Sequence, residues 1–123
     1  MPRTRANSRE ELERIQLAKL RELLAAVRPD NAFYEAKLGQ AGIDDSVASL
    51  AEFRANCPFT TKPELAADHA ANPSYGSNLT FPPGRYTRVH QTSGTSGAPL
   101  RWLDTPESWQ WMIDNWCDIF SAA

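Results

Sequence analysis

Eight consecutive residues, Thr92-Ser93-Gly94-Thr95-Ser96-Gly97-Ala98-Pro99, carry four hydroxyls, two glycines and a closing proline, with no large side chain among them. Such a stretch buries almost no apolar surface, but it can wrap backbone N–H groups and hydroxyls around an anion. Glycine admits positive φ, and successive amides in turns of this kind face one concavity. Ser and Thr hydroxyls rotate to suit phosphate oxygens. The stretch reads as a phosphate-gripping loop. Its rival reading is a Gly/Ser/Thr linker.

Two common phosphate motifs do not fit. The pattern G-x-x-x-x-G-K-[ST] would need glycine where Pro99 stands, and no lysine follows. The dinucleotide pattern G-x-G-x-x-G opens straight into a helix, whereas here the strand-like Leu100-Arg101-Trp102-Leu103 comes next. The loop is therefore expected to join two strands, Tyr86 to Gln91 and Leu100 to Leu103, without help from a helix dipole.

Helices occupy most of the chain before this hairpin. Ser8 and Glu11 form a capping box ahead of Arg9 to about Val27, where Leu12, Leu20, Leu23, Leu24 and Val27 share a face, with Ile15 and Leu17 at its margins. Arg28-Pro29 ends that helix. Asn31 caps a second helix carrying Phe33, Tyr34, Leu38 and Ala41, and Gly42 suits its left-handed terminator. Ser49 with Glu52 and Thr61 with Glu64 open two shorter helices. Residues 70–85 are rich in turn formers. Beyond the hairpin, Thr105 caps and Pro106 begins a last helix, with Trp109, Met112, Ile113, Trp116 and Phe120 at i, i+3, i+4, i+7 and i+11.

The expected organisation is a disordered tail over 1–7, a helical segment over 8–70, a connecting loop over 71–85 and an α/β segment over 86–123. The last helix has no terminating glycine or proline, and its apolar face lacks partner surface, which together suggest truncation.

Composition narrows the classes. The net charge is −2 over 123 residues, and the basic side chains are scattered, so nothing suggests a nucleic-acid footprint. No run approaches the eighteen or so apolar residues of a membrane span. Cys57 and Cys117 lie far apart without metal-ligand spacing, and read as buried or partly buried free thiols in a reducing, cytoplasmic setting. His90 could reach a phosphate, but a strand-end histidine is more often structural. His69 reads as solvated, Lys62 as a first-turn surface lysine, and Asp114 with Asp118 as a solvated helix edge.

The loop resembles the Ser/Thr/Gly-rich phosphate signature of the adenylate-forming enzymes, the superfamily of acyl-CoA synthetases. Within it the chain is most similar to phenylacetate–CoA ligases. Leu20-Arg-Glu-Leu-Leu24, Asn31-Ala-Phe-Tyr34 with Ala41-Gly-Ile43, Pro58-Phe-Thr-Thr-Lys62 and Arg88-Val-His90 agree in order and spacing. The resemblance runs from about Glu11 to the last residue.

It implies an α/β fold, the N-terminal part of the large domain, with 86–123 starting the AMP-binding core. It also implies an enzyme that makes an acyl-adenylate from ATP and a carboxylic acid, an aromatic one included, and then an acyl-CoA thioester. ATP, Mg2+ and coenzyme A are the implied cofactors and a homodimer the implied assembly, with neither nucleic acid nor membrane as partner. Thr92, Ser93, Gly94, Thr95, Ser96 and Gly97 would hold the β- and γ-phosphates. The family usually carries a lysine beside the proline; here Ala98 and Leu100 stand there, and Arg101, the nearest cation, is the candidate to bind phosphate in its stead. The motifs for adenine, magnesium and the catalytic lysine have no counterpart, so this portion alone should be inactive, with neither catalytic nor metal-binding residues. Two rivals stand beside this reading: a stand-alone phosphate-binding module and a non-catalytic helical interaction fragment.

Overall fold

The computed structural model describes residues 6–94 and 97–122, in the order four α-helices, a 3-10 turn, two strands and a fifth helix. They are α1 (Arg9–Val27), α2 (Ala32–Gln40), α3 (Leu50–Asn56), α4 (Lys62–Ala71), β1 (Arg88–Gln91), β2 (Arg101–Asp104) and α5 (Pro106–Ala122). They fall into two compact units, one ending at Thr60 and one beginning at Thr61.

In the first unit each helix starts where a side-chain oxygen meets an orphan amide. Ser8 accepts from the Glu11 N–H, Asn31 from Tyr34 and Ser49 from Glu52. Gly42 takes φ +67° behind α2, as its terminator position requires. Leu24, Leu38, Ile43 and Val47 form the buried core, with Leu17, Leu20, Tyr34 and Phe53 packed against it. The face of α1 is rotated from the expected one. Leu17, placed at the margin, packs on the core, whereas Leu12 and Leu23 are exposed. Arg28 accounts for the turn that follows. Its Nε and Nη2 donate to Glu35 Oε2 and Oε1 at 2.7 and 2.9 Å, and its Nη1 donates to the Ile43 carbonyl at 3.0 Å. One guanidinium thus ties the end of α1 to α2 and to the segment after it.

In the second unit α4 opens with a full capping box between Thr61 and Glu64. The two strands form an antiparallel hairpin, with His90 opposite Trp102 and Gln91 opposite Arg101. The loop between them is the glycine-rich stretch, so it does join two strands. Thr105 caps α5 as its sequence suggests, its Oγ1 accepting from Ser108 N–H at 3.2 Å. Among the described residues here few are buried: Leu65, Leu100 and Thr105. Most of the apolar stripe of α5 lies exposed, including Met112, Ile113, Trp116, Ile119 and Phe120. Among the described residues no helix is long and apolar enough to cross a membrane.

Candidate functional site

The glycine-rich loop is closed at its base by a reciprocal clasp. Thr92 N–H donates to the Leu100 carbonyl at 2.9 Å, and Thr92 Oγ1 accepts from the Leu100 N–H at 2.9 Å. Leu100 itself is 4% exposed and anchors the loop in the core of its unit. Thr92 therefore spends one lone pair on the fold, while its hydroxyl proton stays available to a ligand.

Both glycines of the motif have the backbone the sequence calls for, Gly94 at φ +69° and Gly97 at +141°. Gly97 N–H donates to Gly94 O at 3.2 Å. A Cβ on Gly94 would meet Pro99 Cγ at 2.9 Å and Gly97 O at 3.0 Å, so sterics and conformation both demand glycine there. At Gly97 a Cβ would meet nothing within 4 Å, and only the positive φ restricts the position. Ser93, Gly97 and Ala98 are exposed. Thr95 and Ser96, also expected in the site, lie outside the described residues.

Arg101 is held beside the loop rather than in it. Its Nε donates to Gln91 Oε1 at 3.2 Å and its Nη1 to the Ser74 carbonyl at 3.1 Å. The two positions where a lysine would be expected differ sharply. Ala98 is open to solvent and Leu100 is buried. A hollow of about 270 Å³ lies beside the returning arm, walled by α4 residues Ala66 and Ala70 and by Pro73, Pro99 and Leu100.

Two histidines have structural partners, one of them contrary to expectation. His69 is not simply solvated: its Nδ1 donates to Leu65 O at 2.8 Å, which leaves Nε2 as acceptor for the Arg101 N–H at 3.3 Å. It thereby pins α4 to the start of β2. His90 stacks on Trp109 with centroids 5.1 Å apart, and its Nε2 lies 3.1 Å from Asp104 Oδ2, out of line for a hydrogen bond. Asp104 Oδ1 in turn accepts from Ser108 Oγ at 2.7 Å. This set joins β1, β2 and the start of α5, while the buried Nε2 of His90 has no hydrogen-bond partner among the described residues. The sequence shows no local sign of either histidine's partners.

Cysteine chemistry is unremarkable: Cys57 is half-buried, and burial pushes its thiol up, while Cys117 is exposed rather than covered. Asp114 accepts from Gln110 Nε2 at 2.8 Å along its own helix. Among the described residues no three His, Cys, Asp or Glu side chains converge as a metal site.

No family model matches the chain. In sequence it is similar to phenylacetate-coenzyme A ligase of Thermus thermophilus, 36% identical over 92 residues that make up 74% of this chain and 19% of that protein. In structure it is similar to 2-hydroxyisobutyryl-CoA ligase. The open conformation in complex with 2-HIB-AMP and CoA gives a TM-score of 0.73 at 25% identity, covering 88% of this chain and 27% of that one. The thioesterification state gives 0.75 at 29%, covering 84% and 22%. The chain thus spans about a fifth to a quarter of the length of these relatives. Helices first and a short hairpin after them, in the α/β arrangement of these enzymes, bear out the resemblance read from the sequence. The chain is homologous to a part of the acyl-CoA ligases of the adenylate-forming family.

Proposed function

We propose that the chain is the N-terminal portion of an ATP-dependent acid–CoA ligase, in which the loop from Thr92 to Gly97 holds the β- and γ-phosphates of ATP. One observation carries this: a short antiparallel hairpin bears a hydroxyl-rich turn, clasped at Thr92 and Leu100, with Gly94 and Gly97 both at positive φ. It lies in a chain similar to ligases solved with 2-HIB-AMP and CoA.

The chemistry is electrostatic. Amides and hydroxyls fixed around the departing pyrophosphate offset the charge that builds on it, and because the clasp sets the loop's ends beforehand, little reorganisation is needed. The acid would be adenylated and the acyl group then passed to coenzyme A. A small carboxylic acid, in our reading an aromatic one, is the substrate, and the whole enzyme is a cytoplasmic homodimer. Magnesium would share the phosphate charge when bound. The described residues offer no cluster to hold it, so no step is assigned to it through this chain.

The test is a chimera in which this chain replaces the matched segment of the Thermus ligase. A folded chimera should release pyrophosphate from ATP only when a carboxylic acid is present. A chimera that melts cooperatively yet releases none, with any acid offered, would overturn the proposal.

A further inference from the structure

We infer that His69 is a positioning residue for the phosphate loop: through the backbone of Arg101 it fixes the arm that returns from the loop, and with it the place of the loop's amides and hydroxyls. The inference rests on the phosphate-loop reading above, and every residue it uses belongs to the second unit.

Leu100 pairs with Thr92 across the ribbon, so the N–H and carbonyl of the next residue, Arg101, turn away from β1. Both meet the ring of His69 in the last turn of α4, with Nε2 at 3.3 Å from the nitrogen and 3.1 Å from the oxygen. Nδ1 donates to the Leu65 carbonyl at 2.8 Å, which sets the ring on its own helix. Either protonation state keeps the tie: a neutral ring accepts from the Arg101 N–H, and a protonated one donates to the Arg101 carbonyl. Leu65 is buried, so the helix that carries the ring is itself packed.

The Arg101 side chain is held as well. Its Nη1 donates to the Ser74 carbonyl at 3.1 Å and its Nε to Gln91 Oε1 at 3.2 Å. Ser74 lies in a turn that α4 itself locks. Asp68 Oδ2 accepts from the Ser77 N–H at 2.7 Å and Asp68 Oδ1 from Ser77 Oγ at 2.5 Å, while the Gly76 N–H donates to the Asn72 carbonyl at 2.8 Å. Gly76, at φ +77°, has no room for a Cβ, which would run into the Asp68 carboxylate. The end of α4 and the turn behind it therefore grip Arg101 by backbone and side chain together.

Arg101 follows Leu100, the closing residue of the clasp, and Leu100 follows Pro99. Pro99 lies so close over Gly94 that a Cβ there would meet its Cγ at 2.9 Å and its Cδ at 3.1 Å. From Arg101 to the loop the links are covalent backbone and direct packing, with no flexible side chain between them. A displaced Arg101 displaces the loop. Such a loop stabilises charge only by holding its donors in place beforehand, and misplacing a reacting group by about 1 Å can cost on the order of a hundredfold.

The experiment titrates inorganic pyrophosphate into the 123-residue chain and follows the Gly94 and Gly97 amides by NMR, at a temperature where every variant is fully folded. His69→Asn keeps a donor for the Leu65 carbonyl but falls short of Arg101, and should weaken binding by about fivefold, the worth of one net hydrogen bond. His69→Gln reaches as far as Nε2 does and should stay within about twofold of the parent. A role in stability alone would lower melting temperatures and leave the affinity of the folded protein untouched. Equal affinities in the Asn and Gln variants would therefore overturn the inference. In the chimera described above, kcat/KM for ATP should follow the same order. An active chimera whose His69→Asn variant matches the parent would sink the inference and leave the ligase reading intact. The expected order of pyrophosphate affinities beside an inactive chimera would do the reverse. Glycine amides that ignore pyrophosphate, together with an inactive chimera, would end both.

Discussion

Thr92 and Leu100 hold each other twice, through backbone N–H to carbonyl and through backbone N–H to side-chain hydroxyl oxygen, each at 2.9 Å. A loop of small residues has little packing to fix its shape. These two bonds set the span that the glycines must bridge, and Leu100 fixes that span to the core. The hydroxyl of Thr92 thus serves the loop's geometry while keeping a proton to donate.

Replacing Thr92 by valine keeps the shape and removes the acceptor. A net hydrogen bond contributes about 1 kcal/mol, so exchange of the Leu100 amide should speed up roughly fivefold. Thr92→Ser should leave it unchanged. Equal exchange in the valine variant and the parent would show that the backbone bond alone closes the loop.

The two loop glycines should respond unequally. Gly94→Ala adds a Cβ that collides with Pro99 and the Gly97 carbonyl at a positive φ, whereas Gly97→Ala meets open space and strain in φ alone. In the active chimera, acid-dependent pyrophosphate release should fall at least tenfold, by about 1.4 kcal/mol of barrier, for Gly94→Ala, and less for Gly97→Ala. The opposite order would mean that phosphate approach at Gly97, not loop closure at Gly94, limits the chemistry.

Acid should loosen the first unit through Glu35 and Asp44. Hydrogen bonds from Arg28, aided by its charge, hold the Glu35 carboxyl below its usual range, and Ser46 does the same to Asp44. The folded chain binds fewer protons than the unfolded one, so their contribution is complete above the ordinary carboxylate range. It is lost as pH falls through the depressed folded values. Glu35→Gln should therefore lower the urea midpoint at neutral pH, and the gap to the parent should close in strong acid. A gap of the same size at both pH values would assign the role of Glu35 to packing instead.

Much of this was legible in the sequence because its signals are local. Caps at Ser8, Asn31, Ser49, Thr61 and Thr105 act within three residues of themselves, and each helix begins where its cap stands. The loop glycines declare their backbone by their identity. What was not legible depends on pairs distant in sequence. His69 meets Arg101 across 32 positions, and Arg21 Nε reaches the Val47 carbonyl across 26. The rotated face of α1 has the same origin: α3 packs against it, and neither helix alone says where the other will lie.

The loop carries no lysine on either side of its proline. Family resemblance allows a lysine on either side of Pro99, but the two positions are not equivalent. Ala98 is exposed, so a lysine there keeps its charge in water and can swing toward a bound phosphate. Leu100 is 4% exposed and carries both bonds of the clasp, so a lysine there must either bury an ammonium or leave the core. Ala98→Lys should therefore leave the melting temperature unchanged and lower the Michaelis constant for ATP in the chimera by about threefold to tenfold, in line with a charge-assisted hydrogen bond to phosphate. Leu100→Lys should cost about 2–5 kcal/mol of stability, as deletion of a buried leucine does. Arg101 is the control. Its guanidinium already donates to Gln91 and Ser74, so Arg101→Ala should cost less than threefold in the parent chimera unless the arginine turns inward when ATP binds. A tenfold loss in Arg101→Ala, rescued by adding Ala98→Lys, would show that Arg101 had assumed the lysine's part. Should Ala98→Lys leave ATP affinity untouched while Gly94→Ala also has no effect, the phosphates lie elsewhere and the loop is structural.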